Sequence, residues 1–150
     1  MHADILETFP ESAADTIWQW FQDLPAFVKR NMSRAEQDKD QFLESFNDSF
    51  NVFVYDGDLL GFVTCEPKGS GIYEVHLFCP RNTPDEKLSE AIAVFFEKVR
   101  YTPNVSKLIF NVRRRQAKLA NCLYNEGCIF TGWSYREHRE LFDCLIWEKD

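Results

Sequence analysis

Pro80-Arg81-Asn82-Thr83-Pro84-Asp85-Glu86 joins a strand-like run at residues 72–78 to a strongly amphipathic helix that begins near Pro84. Thr83 and Glu86 have the spacing of a capping box, in which two side chains satisfy free amide groups of the first helical turn. Proline is common at the first helical position, where its missing N–H costs little. The sequence therefore predicts a helix start that is closed by its own side chains and presents carboxylates to any anion.

Hydrophobic periodicity on either side of this junction predicts the other elements. Alternating or β-branched runs predict strands at residues 3–8, 50–55, 59–66, 72–78, 105–112, 128–135 and 141–147. Helical periods predict helices that start at Ser12, Ser33, Pro84 and Gln116. Because helices must cover both faces of such a sheet, the predicted class is α/β (α+β). We expect a single domain over residues 1–150, with a mixed, mostly antiparallel sheet of about seven strands flanked by four helices.

Composition and charge limit the possible partners. The chain has 150 residues, of which 45% are hydrophobic, and its net charge is −7. Such a chain is repelled by phosphate backbones, so direct nucleic-acid binding is not expected, whereas a basic protein would be attracted. No run reaches the roughly 20 apolar residues that a membrane span needs, so no membrane partner is expected either.

The cysteines and histidines predict neither a disulfide framework nor a metal centre. The five cysteines, at positions 65, 79, 122, 128 and 144, form no C-x-x-C pair, and most lie in apolar runs. This usage is typical of reduced core thiols in a cytoplasmic protein, or in a particle assembled in a host cytoplasm. The histidines at positions 2, 76 and 138 have no helical or loop spacing that indicates a metal site.

Two local patterns carry a family resemblance. Leu77-Phe78-Cys79-Pro80 is similar to the end of a strand that precedes a coenzyme loop, and Ala120-x-x-Leu123-Tyr124-x-x-Gly127 is similar to the signature of a last helix. Together with the order of elements, they make the whole chain resemble the GNAT (Gcn5-related N-acetyltransferase) fold. The glycine comes one residue earlier than in the family signature, and Cys128-Ile129-Phe130 replaces the usual Gly-Phe.

The resemblance implies a coenzyme site that this chain does not reproduce. In the family, acetyl-CoA lies between splayed fourth and fifth strands, and a glycine-rich loop with a basic residue wraps its pyrophosphate. By position, the family's basic residue and glycines fall near Thr83, Pro84, Glu86 and Leu88, and Asp85 adds a carboxylate. A Cβ at each glycine position blocks close backbone approach, and the carboxylates oppose a phosphate. We therefore expect no cofactor.

The resemblance also points to residues that would act if the chain were an enzyme. Tyr124 occupies the position of the general acid, and Glu74 on the fourth strand could act as base. The alternative for Tyr124 is a helix residue whose ring packs on the sheet. Strand alternation places His76 on the same face as Glu74.

Arg113, Arg114, Arg115 and Lys118 form the one concentrated positive patch of the sequence. It lies between the fifth strand and the last helix, and could hold an anion or an acidic partner segment. The alternative is a solvated turn with internal salt bridges. The aromatic residues Trp133, Tyr135 and Trp147 are expected to pack on the sheet, or to mark an interface where they are exposed.

Three functions remain open from the sequence. The first is a non-catalytic GNAT-fold protein that acts through protein–protein contacts, in a setting similar to the GNAT-like proteins of tailed phages that serve in particle assembly or genome delivery. The second is a divergent N-acetyltransferase that uses acetyl-CoA. The third is an acidic inhibitor or mimic that occupies a nucleic-acid-binding protein. The partner is expected to be a protein, and homo-oligomers are possible under each hypothesis.

Overall fold

The computed structural model describes residues 1–6, 9–24, 38–80, 82–137 and 139–149. The strands are β1 His2–Ile5, β2 Phe50–Asp56, β3 Asp58–Gly69, β4 Ile72–Phe78, β5 Lys107–Arg113, β6 Ile129–Glu137 and β7 Glu140–Glu148. The helices of the described residues are α1 Glu11–Gln22, α2 Lys39–Glu44, α3 Asp85–Arg100 and α4 Ala117–Asn125. The predicted class and the expected seven strands are confirmed. Of the helix predicted from Ser33, residues 33–37 lie outside the described part of the chain.

The seven strands form a single sheet in the order β1-β2-β3-β4-β5-β7-β6. Neighbouring strands are antiparallel except β4 and β5, which are parallel because α3 crosses over between them. The β-branched run at 105–112 predicted a parallel-type strand, and this prediction is confirmed.

The two parallel strands separate part of the way along their length. Their pairing runs from Ile72 opposite Lys107 to Val75 opposite Phe110. Beyond these residues β4 continues to Phe78 and β5 continues to Arg113, but the two strands no longer pair with each other. The sheet therefore opens between the carboxyl ends of β4 and β5, which is the splay that the resemblance predicted.

Each face of the sheet has its own hydrophobic core. On one face α3 and α4 bury Phe95, Phe96 and Leu123 against the inner residues of β2–β5 and β7. On the other face α1 and α2 pack an aromatic cluster over β2, β3 and the end of β4. The buried members of that cluster are Ala13, Ile17, Phe21, Phe42, Phe46, Phe53, Phe62 and Phe78. Among the described residues, the second cluster covers only one end of its face, and Glu74 and His76 in β4 are half-buried.

The end of α4 follows the sequence prediction closely. Gly127 has φ +100°, and the N–H of Cys128 donates to the carbonyl of Leu123 at 3.1 Å while Gly127 N–H donates to Tyr124 O at 3.0 Å. These are the two bonds of a Schellman motif, which requires the left-handed conformation that glycine adopts without strain. Among the helices of the described residues, none is long and apolar enough to cross a membrane.

Candidate functional site

The start of α3 differs from the prediction. The helix begins at Asp85, and its N-cap is Pro84 with φ −61° and ψ 148°, without a side-chain capping bond. The Thr83 hydroxyl instead donates to the carbonyl of Pro80 at 2.6 Å, across a turn that also bonds Thr83 N–H to the same oxygen at 3.1 Å. The predicted Thr83–Glu86 capping box is therefore wrong. Because the helix starts one residue later, Thr83 stands outside it and its hydroxyl closes the preceding turn.

Carboxylates of the chain itself nevertheless occupy this helix start. Asp85 and Glu86 lie exposed in the first turn, where the helix dipole favours negative charge. The Lys118 ammonium donates to the Asp85 carboxylate at 2.7 Å, which links the starts of α3 and α4. Leu88 N–H bonds to Pro84 O at 3.0 Å, and its side chain packs against the core. Arg81, the basic residue of the loop, lies outside the described residues.

A pocket beside the same loop is also acidic. It has a volume of about 460 Å³ and is lined by Asp15, Thr16, Gln19, Trp20, Asp23, Pro80 and Asn82. The Asp15 carboxylate pairs with Lys39, and the Asp23 carboxylate accepts a hydrogen bond from Gln19 Nε2 at 2.9 Å. A phosphate placed here would meet two carboxylates, and Lys87, the cation of residues 82–88, pairs with the Asp56 carboxylate.

Each of the four cations in the predicted positive patch contacts a different side chain of the protein. Arg114 forms a two-pronged bond to Asp143, with Nε at 3.1 Å and Nη2 at 2.7 Å from its carboxylate oxygens, and this bond lowers the pKa of Asp143. Arg115 contacts Glu140 at 2.9 Å, and Lys118 pairs with Asp85 as described. The Arg113 guanidinium lies 5.6 Å from the centre of the Phe142 ring, and burial lowers its pKa. These contacts match the alternative of a turn with internal salt bridges.

Glu74 and His76 lie on the same face of the sheet, as predicted, and the Glu66 side chain lies beside them. His76 Nε2 lies 3.7 Å from Glu66 Oε2 and 3.9 Å from Glu74 Oε2. Lys68 Nζ lies 3.4 Å from both carboxylates, and Asn111 Nδ2 donates to Glu74 Oε1 at 2.7 Å. The spacing of histidines along the chain could not reveal this cluster, because its members come from different strands. The signal that was available is the hairpin register, which places Glu66 directly opposite Glu74.

Tyr124 is 44% exposed and does not belong to the buried core. The reason is helical geometry: Leu123 points into the core with 0% exposure, and the next residue is turned by about 100° from it. The phenol is therefore accessible at the end of α4.

The aromatic residues near the C-terminus fall into two groups. Trp147 is buried in the core, and Tyr135 stacks on Phe142 with ring centres 5.2 Å apart. Trp133 stacks on Tyr135 at 4.9 Å but remains 57% exposed. Ile129 and Phe130, on the same strand, are 60% and 45% exposed. β6 is an edge strand of the sheet. Among the described strands, it carries the large apolar side chains that are most exposed.

Comparison with known proteins shows the fold. No family model matches the chain, and no curated protein matches it. Among solved structures, an acetyltransferase of the GNAT family from Streptococcus pneumoniae is similar, with 13% identity and a TM-score of 0.66 over 99% of this chain and 100% of that one. Spermidine N-acetyltransferase from Vibrio cholerae in complex with CoA and spermine has 10% identity and a TM-score of 0.72, over 99% and 96%.

A third similar structure is the N-acetyltransferase PseH from Campylobacter jejuni, with 10% identity and a TM-score of 0.65 over 99% of this chain and 97% of that chain. At such low identity these likenesses concern the path of the backbone and not the site residues. The parallel β4–β5 pair opens as the family resemblance implied. The chain therefore has the GNAT fold.

Proposed function

We propose that this chain is a non-catalytic GNAT-fold protein that acts through contacts with another protein. The observation that carries the proposal is the start of α3, where the chain's own Asp85 and Glu86 carboxylates stand at the end of the helix that would face a coenzyme pyrophosphate. Residues 79–88 contain no glycine, and Pro84 has no N–H to donate.

The charges at this helix start weaken pyrophosphate binding by a calculable amount. The Lys118 ammonium at 2.7 Å offsets the charge of Asp85, so Glu86 is the uncompensated carboxylate. At about 6 Å from two phosphate charges it gives two repulsive pairs of about 0.7 kcal/mol each in a water-like dielectric, or roughly a tenfold loss of affinity. Micromolar binding requires about 8 kcal/mol, so the remaining contacts would have to overcome this loss without backbone donors from glycines.

The exposed apolar residues of β6 support the second half of the proposal. Ile129, Phe130 and Trp133 are large apolar side chains exposed on one edge strand, and because Ile129 and Phe130 point to opposite faces, the surface they offer is the open edge of the sheet. Large aromatic residues such as Trp133 contribute disproportionately to protein–protein binding energy. The partner we propose is a protein. A second copy of the chain is one form of it, and neither nucleic acid nor membrane is required.

The biological setting we propose is a tailed phage, with a role in particle assembly or genome delivery and with the host cytoplasm as the place of assembly. Its support is the resemblance in chain length and in the altered coenzyme loop to GNAT-like phage proteins. This setting is separable from the biochemical proposal, because loss of coenzyme binding is tested on the purified chain alone.

Titration calorimetry of the purified protein with acetyl-CoA and with CoA tests the first half of the proposal. We expect no binding at about 1 mM ligand, at low or moderate salt, because repulsion persists at both ionic strengths near the helix start. The double variant Asp85→Asn/Glu86→Gln serves as the matched comparison. Micromolar binding by the wild-type chain would refute the proposal outright.

Partner capture tests the second half. Trp133→Ser should reduce binding of the captured partner, whereas Tyr101→Ser should not, although Tyr101 is 84% exposed. Tyr101 is the C-cap of α3 and does not belong to β6, so it controls for a general effect of removing an exposed ring. Equal loss in both variants, or in neither, would show that β6 is not the contact surface.

A divergent N-acetyltransferase is the second candidate, and two observations favour it. The β4–β5 splay is present, and the Tyr124 phenol is accessible on the last helix. In this reading Tyr124 protonates the leaving thiolate of acetyl-CoA, and Glu74 accepts the proton of the amine. The test is acetyl transfer to a panel of amines: activity that disappears in Tyr124→Phe, with the fold intact, would favour the enzyme over the binding protein.

A further inference from the structure

Three side chains that can ligate metal ions meet on the face of the sheet that α1 and α2 leave open. Glu66 lies on β3, and Glu74 and His76 lie on β4. One carboxylate oxygen from each glutamate and one imidazole nitrogen all lie within 4.8 Å of one another. None of the three is fully buried, so an ion has access to the ligand atoms.

The separations are close to those of a metal site. Ligands at about 2.1 Å from a tetrahedral zinc ion lie roughly 3.4 Å from one another. The imidazole-to-carboxylate distances of 3.7 and 3.9 Å are only a few tenths of an ångström longer. Small rotations of three partly exposed side chains would close the gap, and the paired strands beneath them need not move. An imidazole with two carboxylates is a ligand set that suits zinc and neighbouring divalent metals.

Asn111 on β5 provides two further observations. Its Nδ2 donates to Glu74 Oε1 at 2.7 Å, which leaves the other oxygen of Glu74 turned toward His76. Its Oδ1 is buried and accepts no hydrogen bond from the described residues. The Asn111 hydrogen bond fixes the orientation of the Glu74 carboxylate that the site would use.

Lys68 is the group that competes with an ion for this position. Its ammonium lies 3.4 Å from both carboxylates, and the two glutamates raise its pKa. The Lys68 side chain is 43% exposed, so it can turn into solvent when an ion takes its place. Its presence means that the metal must displace a charge, which lowers the affinity but leaves the ligand atoms where they are.

We propose that Glu66, Glu74 and His76 form a binding site for a divalent transition-metal ion, with zinc as the preferred ion. The site has three protein ligands, so its fourth position is open to a water molecule or to a side chain of a partner. This inference is independent of the proposed function, because it concerns an ion on the open sheet face and neither the coenzyme loop nor the β6 surface.

The experiment is a titration of chelator-treated full-length protein with zinc chloride, followed by calorimetry and by thermal unfolding. We expect saturable binding of one ion per chain below about 1 mM, with a rise in the unfolding temperature. His76→Gln and Glu74→Gln should abolish it. Asn111→Ala should weaken it by about 10–100-fold, the usual effect of losing a residue that orients a ligand. Lys68→Met should strengthen it, since it removes the competing charge.

Two controls separate this site from others in the chain. His2 lies 3.4 Å from Asp4 at an exposed position, so His2→Gln removes a different histidine and should leave zinc binding unchanged. Cobalt(II) in place of zinc reports the ligand type, because thiolate ligands absorb strongly in the near ultraviolet and nitrogen and oxygen ligands do not.

The inference is overturned by an absence of binding at about 1 mM zinc, by binding that survives His76→Gln in the folded variant, or by a thiolate cobalt spectrum.

Discussion

The substitution Phe42→Ala tests whether buried side-chain contacts hold the short helix α2 in place. The helix has only six residues, too few to be stable in isolation, so its contacts with the rest of the protein must hold it in place. Phe42 is its one buried residue and has 0% exposure. Its ring lies 4.6 Å from that of Phe21, 4.9 Å from that of Phe46 and 5.3 Å from that of Trp18.

The cost of Phe42→Ala follows from this packing. Truncation of a fully buried phenylalanine to alanine costs about 3–5 kcal/mol in free energy of unfolding. We expect about 4 kcal/mol, because the ring contacts three other rings and these edge and face contacts are also lost. For a domain of this size that loss lowers the unfolding temperature by about 8–16 °C. A loss of about 4 kcal/mol is a large part of the free energy of unfolding of a typical protein, which is roughly 5–15 kcal/mol.

Urea-induced unfolding, followed by tryptophan fluorescence and by circular dichroism, measures the effect. Trp18 makes the fluorescence sensitive to the ring that is removed. Phe42→Leu is the matched control and should cost less than about 1.5 kcal/mol, because it keeps most of the volume. If Phe42→Ala loses less than about 1.5 kcal/mol with an unchanged dependence on urea, the cluster does not hold α2 and the reasoning fails.

Two further predictions concern a turn and an ion pair. Gly71→Ala should destabilise the protein more than Gly57→Ala in thermal unfolding. Both glycines have φ near +75°, but an added Cβ at Gly71 lies 2.6 Å from the Ser106 hydroxyl oxygen, whereas at Gly57 it meets nothing within 4 Å. The Arg114 hydrogen bonds lower the pKa of Asp143, so their contribution to stability is present above the ordinary Asp pKa and disappears as pH falls through the lowered one. Unfolding curves should therefore show a loss in Arg114→Gln at about pH 7 that shrinks as the pH falls below the ordinary pKa of an Asp side chain, and a loss that stays constant would contradict the assignment.

The elements that the sequence predicted well are those whose evidence is local. The alternating runs predicted strands at 50–55 and 59–66, and the structure joins them as the β2–β3 hairpin with Gly57 at φ +75°. The apolar stripe after Pro84 predicted α3, which buries Ile92, Phe95, Phe96 and Val99. Such patterns depend on residues a few positions apart, so a single sequence contains them in full.

The capping box at the start of α3 shows where local evidence was not enough. The spacing of Thr83 and Glu86 is the spacing of the motif, but the same residues fit a helix that begins one position later. The choice between the two depends on the turn from Pro80, which receives both the hydroxyl and the amide of Thr83. The conformation of that turn depends on how the loop joins β4 to α3 in the folded protein, and the sequence pattern alone does not specify it.

The sequence by itself determined the class of fold and the order of its elements, because the period of apolar side chains is a property of neighbouring residues. It also determined that residues 79–88 contain no glycine and carry the carboxylates of Asp85 and Glu86. Only the tertiary structure decided which distant groups meet. It brought Glu66 to His76, paired Lys118 with Asp85, separated the cations of the Arg113–Arg115 run and left Trp133 exposed. The physical reason is that register, strand order and crossover set these distances, and they result from burying two cores at once rather than from any one stretch of the chain.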